Sequence, residues 1–508
     1  MTIVAGVDFG TRSVRVSFVD SARGRIGCGE AAYDVGRDPR DPDCATQSHD
    51  QHLNSLVDAF AAARLDSGID GSVIAALAVA TTGSTVVPLD ETLKPIDDYY
   101  LWCDHRAWRE AEEISCFGHS LAALQYCGGV YSSEWGFAKL LHWLRNNPAK
   151  RASLATAAEH CDLIVATLTG VTDPAGMARS VCAMGHKWLW NSALGGLPDD
   201  AVLAAIDPLL GGLRDRFEGR YLTSDQIAGR LSEQWAAKLH LSAGIPVPVA
   251  ALDAHWDAIG AGCRLGDVVN VVGTSSCIMA LSQSARAMPG IPGVVPGSIH
   301  PGLVGIEAGL AAVGDVFDSI ARRAGSSVAQ LAGQCAGHRA GQTGLIRLLW
   351  DNGDRSVLAD PGLGGATLGW RLSHGPADEL FAAMEGSAFH TRIILDRLAG
   401  HDVEIRRVIN GGGIPRRNAK LNSVYANILG KPVLVPDEDV TGLGSAIFAF
   451  LAAGTFASVA DAQDVLCPPY RIFEPEADEA ALYEQEYARF HELYFALSQQ
   501  QGARHAVA

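Results

Sequence analysis

Residues 3–8 form an apolar strand that ends on Asp8, a Gly-Thr turn follows, and residues 13–20 set Val14, Val16 and Phe18 against Arg15 and Ser17 in the two-residue period of a strand. The two runs predict a hairpin with Asp8-Phe9-Gly10-Thr11-Arg12-Ser13 at its tip. The pattern recurs far downstream: a strand over 268–272, the turn Gly273-Thr274-Ser275-Ser276, and a strand over 277–281. Between the hairpins the periodicity predicts a buried strand over 72–82, an amphipathic helix over 135–146 with Phe137, Leu140, Leu141 and Leu144 inward, and a strand over 246–251. Beyond the second hairpin it predicts helices over 308–322, 378–398 and 418–429, a strand over 407–409 and a turn at Gly411-Gly412-Gly413. Strands alternating with helices in this way belong to a layered α/β protein. The last stretch, 476–499, lines Tyr483, Tyr487, Phe490, Tyr494 and Leu497 on one helical face and is expected to dock by that stripe.

Length changes the picture, because 508 residues with 48% hydrophobic content exceed one compact core. Two domains of roughly 200 to 250 residues are expected. No Pro/Gly/Ser run is long enough to be a linker, so the boundary between them must be a packed hinge. Expected boundaries are 1–258 and 259–455 for the two domains and 456–508 for a helical extension.

A formal charge of −17 argues against a long nucleic-acid footprint or an anionic membrane surface, both of which need clustered cations. No nucleic-acid or membrane partner is therefore expected. A small anion remains compatible, held by Mg²⁺, backbone N–H groups and helix N-termini. The opening MTIVAGVDFG has no basic stretch before its apolar run, and no window approaches 18 apolar residues, so a cytoplasmic protein is expected. Eleven scattered cysteines without a C-x-x-C pair fit reduced thiols.

A single Gly-Thr turn after a strand is usually only a hairpin, but two at the starts of two α/β halves and a third glycine turn before a helix suit a nucleotide clamped between lobes. Glycine lets backbone N–H groups reach phosphate oxygens, and Thr or Ser hydroxyls add donors. Asp253 follows the strand expected over 246–251, where α/β strand ends present side chains to a crevice. It suits a general base, and it equally suits an N-cap for a helix from Ala254. His255 lies two residues on, but with no further His or acid at ligand spacing a zinc site is not expected. His105 and His186 read as hydrogen-bonding groups.

The ordered series VDFGTRSVR (Val7 to Arg15), LWCDHRA (Leu101 to Ala107), RSVCAMGHK (Arg179 to Lys187), LDAHWDAIGAG (Leu252 to Gly262), VVGTSSC (Val271 to Cys277), GIEAG (Gly305 to Gly309) and NGGGIPRRN (Asn410 to Asn418) resembles that of the FGGY carbohydrate kinases, nearest to their ribulokinase branch. The resemblance implies a two-domain actin/Hsp70/sugar-kinase (ribonuclease H-like) fold, with a five-stranded mixed sheet in each domain and an interdomain cleft. It implies ATP and Mg²⁺ as cofactors, a small-molecule sugar as substrate, and a homodimer. By matching position, Asp253 would be the catalytic base and Asp8 would help place Mg²⁺, through water. Gly10, Thr11 and Arg12 would form the first phosphate loop, Gly273 and Thr274 would meet the terminal phosphates, and Gly412, Gly413 and Asn418 would frame adenosine.

For the sugar, the resemblance points to a ketopentose. Glycerol kinases carry Arg-Glu and xylulose kinases Met-His where this chain has Thr82-Gly83-Ser84, so Gly83 would give a small, open pocket wall. Asp104, Lys187 and Glu307 would contact sugar oxygens, and the apolar flanks Val181, Met184 and Trp188 suit an enclosed lysine. Cys103 stands where that branch usually has Lys, Trp256 and Asp257 are bulkier than usual, and Asn410 precedes the glycines. Trp256, three residues after the base, is expected to narrow the pocket.

Overall fold

The computed structural model describes residues 1–505, the side chains of His119 and of residues 501–505 excepted. Two sheets organise it. The first runs Ala251–Leu252, Ile74–Thr81, Ile3–Phe9, Ser13–Asp20, Gly24–Ala32, with the last three strands antiparallel and the first two parallel to Ile3–Phe9. The second repeats that arrangement: Val433–Pro436, Arg407–Gly411, Asp267–Val272, Ser276–Ser282 and Val304–Leu310 occupy the same places in the same senses. Both predicted hairpins therefore sit at equivalent positions of a duplicated unit.

The second sheet has seven strands instead of the expected five, because Gly293–Pro296 and Tyr470–Phe473 add to its two edges. The stretch 456–508 is thus more than a helical extension. The expected helix over 308–322 is corrected too: the strand Val304–Leu310 precedes a helix that begins at Gly314. All seven residues of that strand are buried, and a doubly covered strand carries no alternation to tell it from a helix. The expected strand over 246–251 splits into Pro246–Pro248 and Ala251–Leu252.

A third, five-stranded sheet, unforeseen from the sequence, joins Gly36–Asp38, Asp41–Gln47, Tyr99–Tyr100, Val86–Leu89 and Thr156–Glu159. Its strands are two to seven residues long, too short for a periodic signal. The terminal helix Ala477–His505 docks on the second lobe, and Tyr483, Tyr487, Phe490 and Tyr494 are buried there. All eleven cysteines are free thiols. Among the described residues no helix is long and apolar enough to cross a membrane.

The helix Leu443–Ala452 packs against the first sheet and the helix Asp253–Gly260, closing the seam between lobes. Contact there is backbone on backbone. A Cβ at Gly444 would lie 1.9 Å from the Trp256 carbonyl oxygen, and one at Gly6 would lie 2.5 Å from that of Gly442. Trp256 stacks on Phe448 of this seam at 4.7 Å and is 1% exposed. It belongs to the core and does not narrow a sugar pocket, because its ring is held by the hinge helix.

Candidate active site

Asp8 and Ala251 flank Ala80 in register, so Asp8 and Asp253 reach the same end of three parallel strands. Asp253 is the first residue of its helix and not the N-cap, and its Oδ1 accepts the Ala254 N–H at 2.7 Å. Burial raises both acids. Asp8 is pushed up to about 7 by burial first and Asp253 next, against the pull of Arg15. Asp253 is pushed up to about 6, because burial outweighs the Ala254 N–H, His255 and Lys187. One turn on, Asp257 is raised by burial and then by Asp8 and Asp253. Three carboxylates thus share this end of the sheet, each made costlier to ionise by burial and by a neighbouring acid.

Each lobe brings a glycine turn to this end. In the first, Gly10 N donates to the Ser13 carbonyl at 2.9 Å, while Arg12 is exposed. In the second, Gly273 N donates to the Ser275 carbonyl at 2.8 Å and Thr274 is exposed. The Thr274 carbonyl accepts from Val313 N at 2.8 Å, which fixes the turn on the start of the helix Gly314–Arg323. The third turn needs its glycine: Gly412 has φ +91°, and a Cβ there would lie 2.6 Å from the Val272 carbonyl oxygen. Gly413 opens the short helix Gly413–Arg417. A cavity of about 710 Å³ between the lobes is lined by Asp257, Val271 and Gly411 to Gly413, together with Arg15, Arg416 and Arg471.

Asn418 spends its oxygen capping the next helix, accepting from Leu421 N at 3.0 Å. Asn410 is buried, in a ladder the sequence reading missed. Asn270 Nδ2 donates to Asn410 Oδ1, and Asn410 Nδ2 to Asn422 Oδ1, each at 3.2 Å. These amides lock the floor beneath the glycine turns, since a buried amide needs its partners.

The sugar-side residues are brought together in part. Lys187, last residue of the helix Val181–Lys187, is buried, and its Nζ lies 2.8 and 3.0 Å from the two carboxylate oxygens of Glu307 on Val304–Leu310. His186 Nδ1 and His255 Nε2 each stand 3.3 Å from Glu307 Oε2 without an aligned hydrogen bond. The expectation that His255 has no companion at ligand spacing is thereby corrected: three segments distant in the chain converge, and their donor atoms lie within 4.8 Å of one another. Lys187 already supplies a cation to that carboxylate. Burial alone would raise Glu307, but Lys187, and then His255, hold it well below the usual range.

Gly83 abuts Leu252, whose Cδ2 would lie 2.3 Å from any Cβ placed there. Asp104 is fully buried and turned inward, accepting from Ala45 N at 2.9 Å and pairing with Arg106 at 2.6 Å. Its carboxylate staples its own loop. Glu159 was missed: it accepts from Ser84 Oγ, Thr85 N and Trp188 Nε1 and so fixes the Gly83 loop. A polar residue in a buried run gives no signal of its own in one sequence.

Duplicated α/β lobes meeting at strand-end carboxylates, with glycine turns contributed from both sides, define a two-lobed sugar-kinase fold. The model of the FGGY family of carbohydrate kinases, N-terminal domain, matches residues 3–260, and that of its C-terminal domain matches residues 268–453. The chain belongs to the FGGY family of carbohydrate kinases, enzymes that use ATP. It is 33% identical to a ribulokinase of Vibrio parahaemolyticus over 96% of this chain and 95% of that one. To a ribulokinase of Staphylococcus aureus it is 30% identical over 97% of each. In fold it is similar to a xylulose kinase of Rhodospirillum rubrum, with a TM-score of 0.84 and 23% identity over 98% of this chain and 100% of that one.

Proposed function

We propose that this kinase transfers the γ-phosphoryl group of ATP to the terminal 5-hydroxyl of a ketopentose, L-ribulose before others. The observation that carries the reading is Asp253 beside Asp8 at the end of the parallel strands, with its Oδ1 engaged by the Ala254 N–H and its second oxygen left for a hydroxyl. The ribulokinase relatives supply the sugar class.

In the proposed reaction the acceptor oxygen bonds to the γ-phosphorus as the bond from that phosphorus to the β–γ bridging oxygen breaks. Asp253 takes the hydroxyl proton. Such a transfer asks mainly for positioning and for neutralised charge, and a carboxylate raised toward neutrality is a stronger base than an ordinary one while still ionised near pH 7. Asp8, with Asp257 nearby, would hold Mg²⁺, which when bound neutralises the charge of the phosphates. With the Gly10 and Gly273 N–H groups spent on closing their own turns, the N–H groups of Thr11 and Arg12 and of Thr274 and Ser275 would face the phosphates, with the Thr11 and Thr274 hydroxyls beside them, and Gly412 and Gly413 would leave room for adenosine.

Lys187 keeps one of its three N–H donors after pairing with Glu307, and Glu307 retains lone pairs, so together they can bind vicinal sugar hydroxyls as donor and acceptor. A coupled ADP-release assay over both enantiomers of ribulose and xylulose, with glycerol and erythritol, tests the reading. L-Ribulose should give the highest kcat/KM. A higher value for a xylulose or a polyol overturns the sugar, and release of ADP with none of them overturns the kinase reading.

A further inference from the structure

Thr11, in the first phosphate turn, is held at two atoms by neighbouring parts of the small third sheet. Its carbonyl accepts from Gln47 Nε2 at 2.7 Å and its hydroxyl from Trp102 Nε1 at 3.0 Å. Gln47 ends the strand Asp41–Gln47, Trp102 lies two residues after Tyr100, and these strands pair with Gln47 opposite Tyr99. The loop that carries Trp102 is itself fixed to the sugar side. Lys139, fully buried, donates to the carbonyl oxygens of both Leu101 and Ser84 at 2.5 and 2.8 Å, joining the 101–104 loop to the Gly83 loop. Tyr33 closes the other side, its hydroxyl 2.5 Å from the Gly10 carbonyl oxygen and 2.9 Å from that of Ser13.

An indole N–H can only donate. By donating to the Thr11 oxygen it makes that hydroxyl an acceptor on one side, so the hydroxyl's single proton must point elsewhere. In a turn that faces phosphate, the acceptor waiting for that proton is a phosphate oxygen. We propose that Trp102 is a positioning residue: through Thr11 it orients the first phosphate turn and couples the sugar-side wall to the grip on the nucleotide. The proposal rests on the kinase reading above. It differs from a space-filling role for Trp102 in requiring the bond itself.

The test is calorimetric titration of Mg·ADP into the full-length protein and its variants, with no sugar present. Thr11→Val is nearly isosteric and removes both the acceptor and the proton; Thr11→Ser keeps both; Trp102→Phe removes the donor. Thr11→Val and Trp102→Phe should each weaken ADP about three- to tenfold, the usual reach of one neutral hydrogen bond. Thr11→Ser should stay within about twofold of wild type, and the double variant Thr11→Val/Trp102→Phe should bind no more weakly than the weaker single. Additive losses, or a Thr11→Ser variant as weak as Thr11→Val, overturn the proposal. Should Trp102→Phe fail to fold, Trp102→Leu takes its place in the same comparison, and a Trp102→Leu variant that binds ADP as tightly as wild type overturns the proposal. With the best acceptor at saturation, ADP should tighten in wild type and Thr11→Ser but not in Thr11→Val, and an equal gain in all three overturns the coupling. An acceptor panel that gives no turnover defeats the kinase reading alone, since the titrations without sugar stand apart from it.

Discussion

Lys187 Nζ stands 2.8 Å from Glu307 Oε1, a bond that runs from a helix of the first lobe to a strand of the second. Both ends are buried, so the pair is at once a binding element and a rivet.

Removing one end leaves the other charge stranded. Glu307→Ala is expected to cost about 3 to 5 kcal/mol, the usual penalty for an orphaned buried charge, and Lys187→Met should cost a similar amount. The double variant Lys187→Met/Glu307→Leu should recover much of that loss. Denaturant unfolding checks this, and a double variant as unstable as the sum of the singles would refute it.

Asp253→Asn should keep the fold and nucleotide affinity while kcat falls about 10² to 10⁴-fold. Because the carboxyl of Asp253 is raised to about 6, kcat/KM should fall as pH drops through about 6, well above the ordinary aspartate range. A pH–rate profile flat down to pH 4.5 would argue against Asp253 as the base.

The glycine turns separate into two kinds. A Cβ at Gly273 meets nothing closer than the Ser275 carbonyl oxygen at 3.8 Å, so Gly273→Val should fold normally and show its effect as a raised KM for ATP. Gly412→Ala strikes the Val272 carbonyl oxygen and strains a positive φ, so it should lower thermal stability by more than about 1 kcal/mol as well. Thermal melts beside ATP kinetics distinguish them.

His255 gives stability a pH signature. Burial alone would depress it, but Cys182 and Glu307 override burial and push it up to about 9. A raised folded value means its stabilisation is complete below about pH 6.5 and is lost as pH rises through about 9. Wild type should therefore lose stability between pH 6.5 and 9 that His255→Gln does not lose. Parallel denaturation curves for the two proteins across that range would contradict the charged state of His255.

Both hairpins and the third glycine turn were legible in the sequence because each is a local object, fixed by strand pattern and turn chemistry within a stretch of at most 18 residues. What stayed hidden was non-local or featureless. Glu307, His186 and His255 meet only in three dimensions, from three segments far apart in the chain. The last three residues of the strand Val304–Leu310, buried throughout, read as the start of a helix. Asp104 looked like a ligand and is a staple, since sequence does not show that Arg106 bends back to claim it.

The seam between the lobes has a mechanical consequence. Where Gly6, Gly260 and Gly444 bring backbone against backbone, the separation is set by hard atoms, and the side chains around them, Trp256 and Phe448 among them, are packed into one core. Such a joint has no slack, since atoms already at contact distance leave nothing for an added group to fill. A single methyl group added at Gly444 would act as a wedge, prising the helix that starts at Asp253 away from its neighbour and so disturbing the carboxylates it carries from a distance.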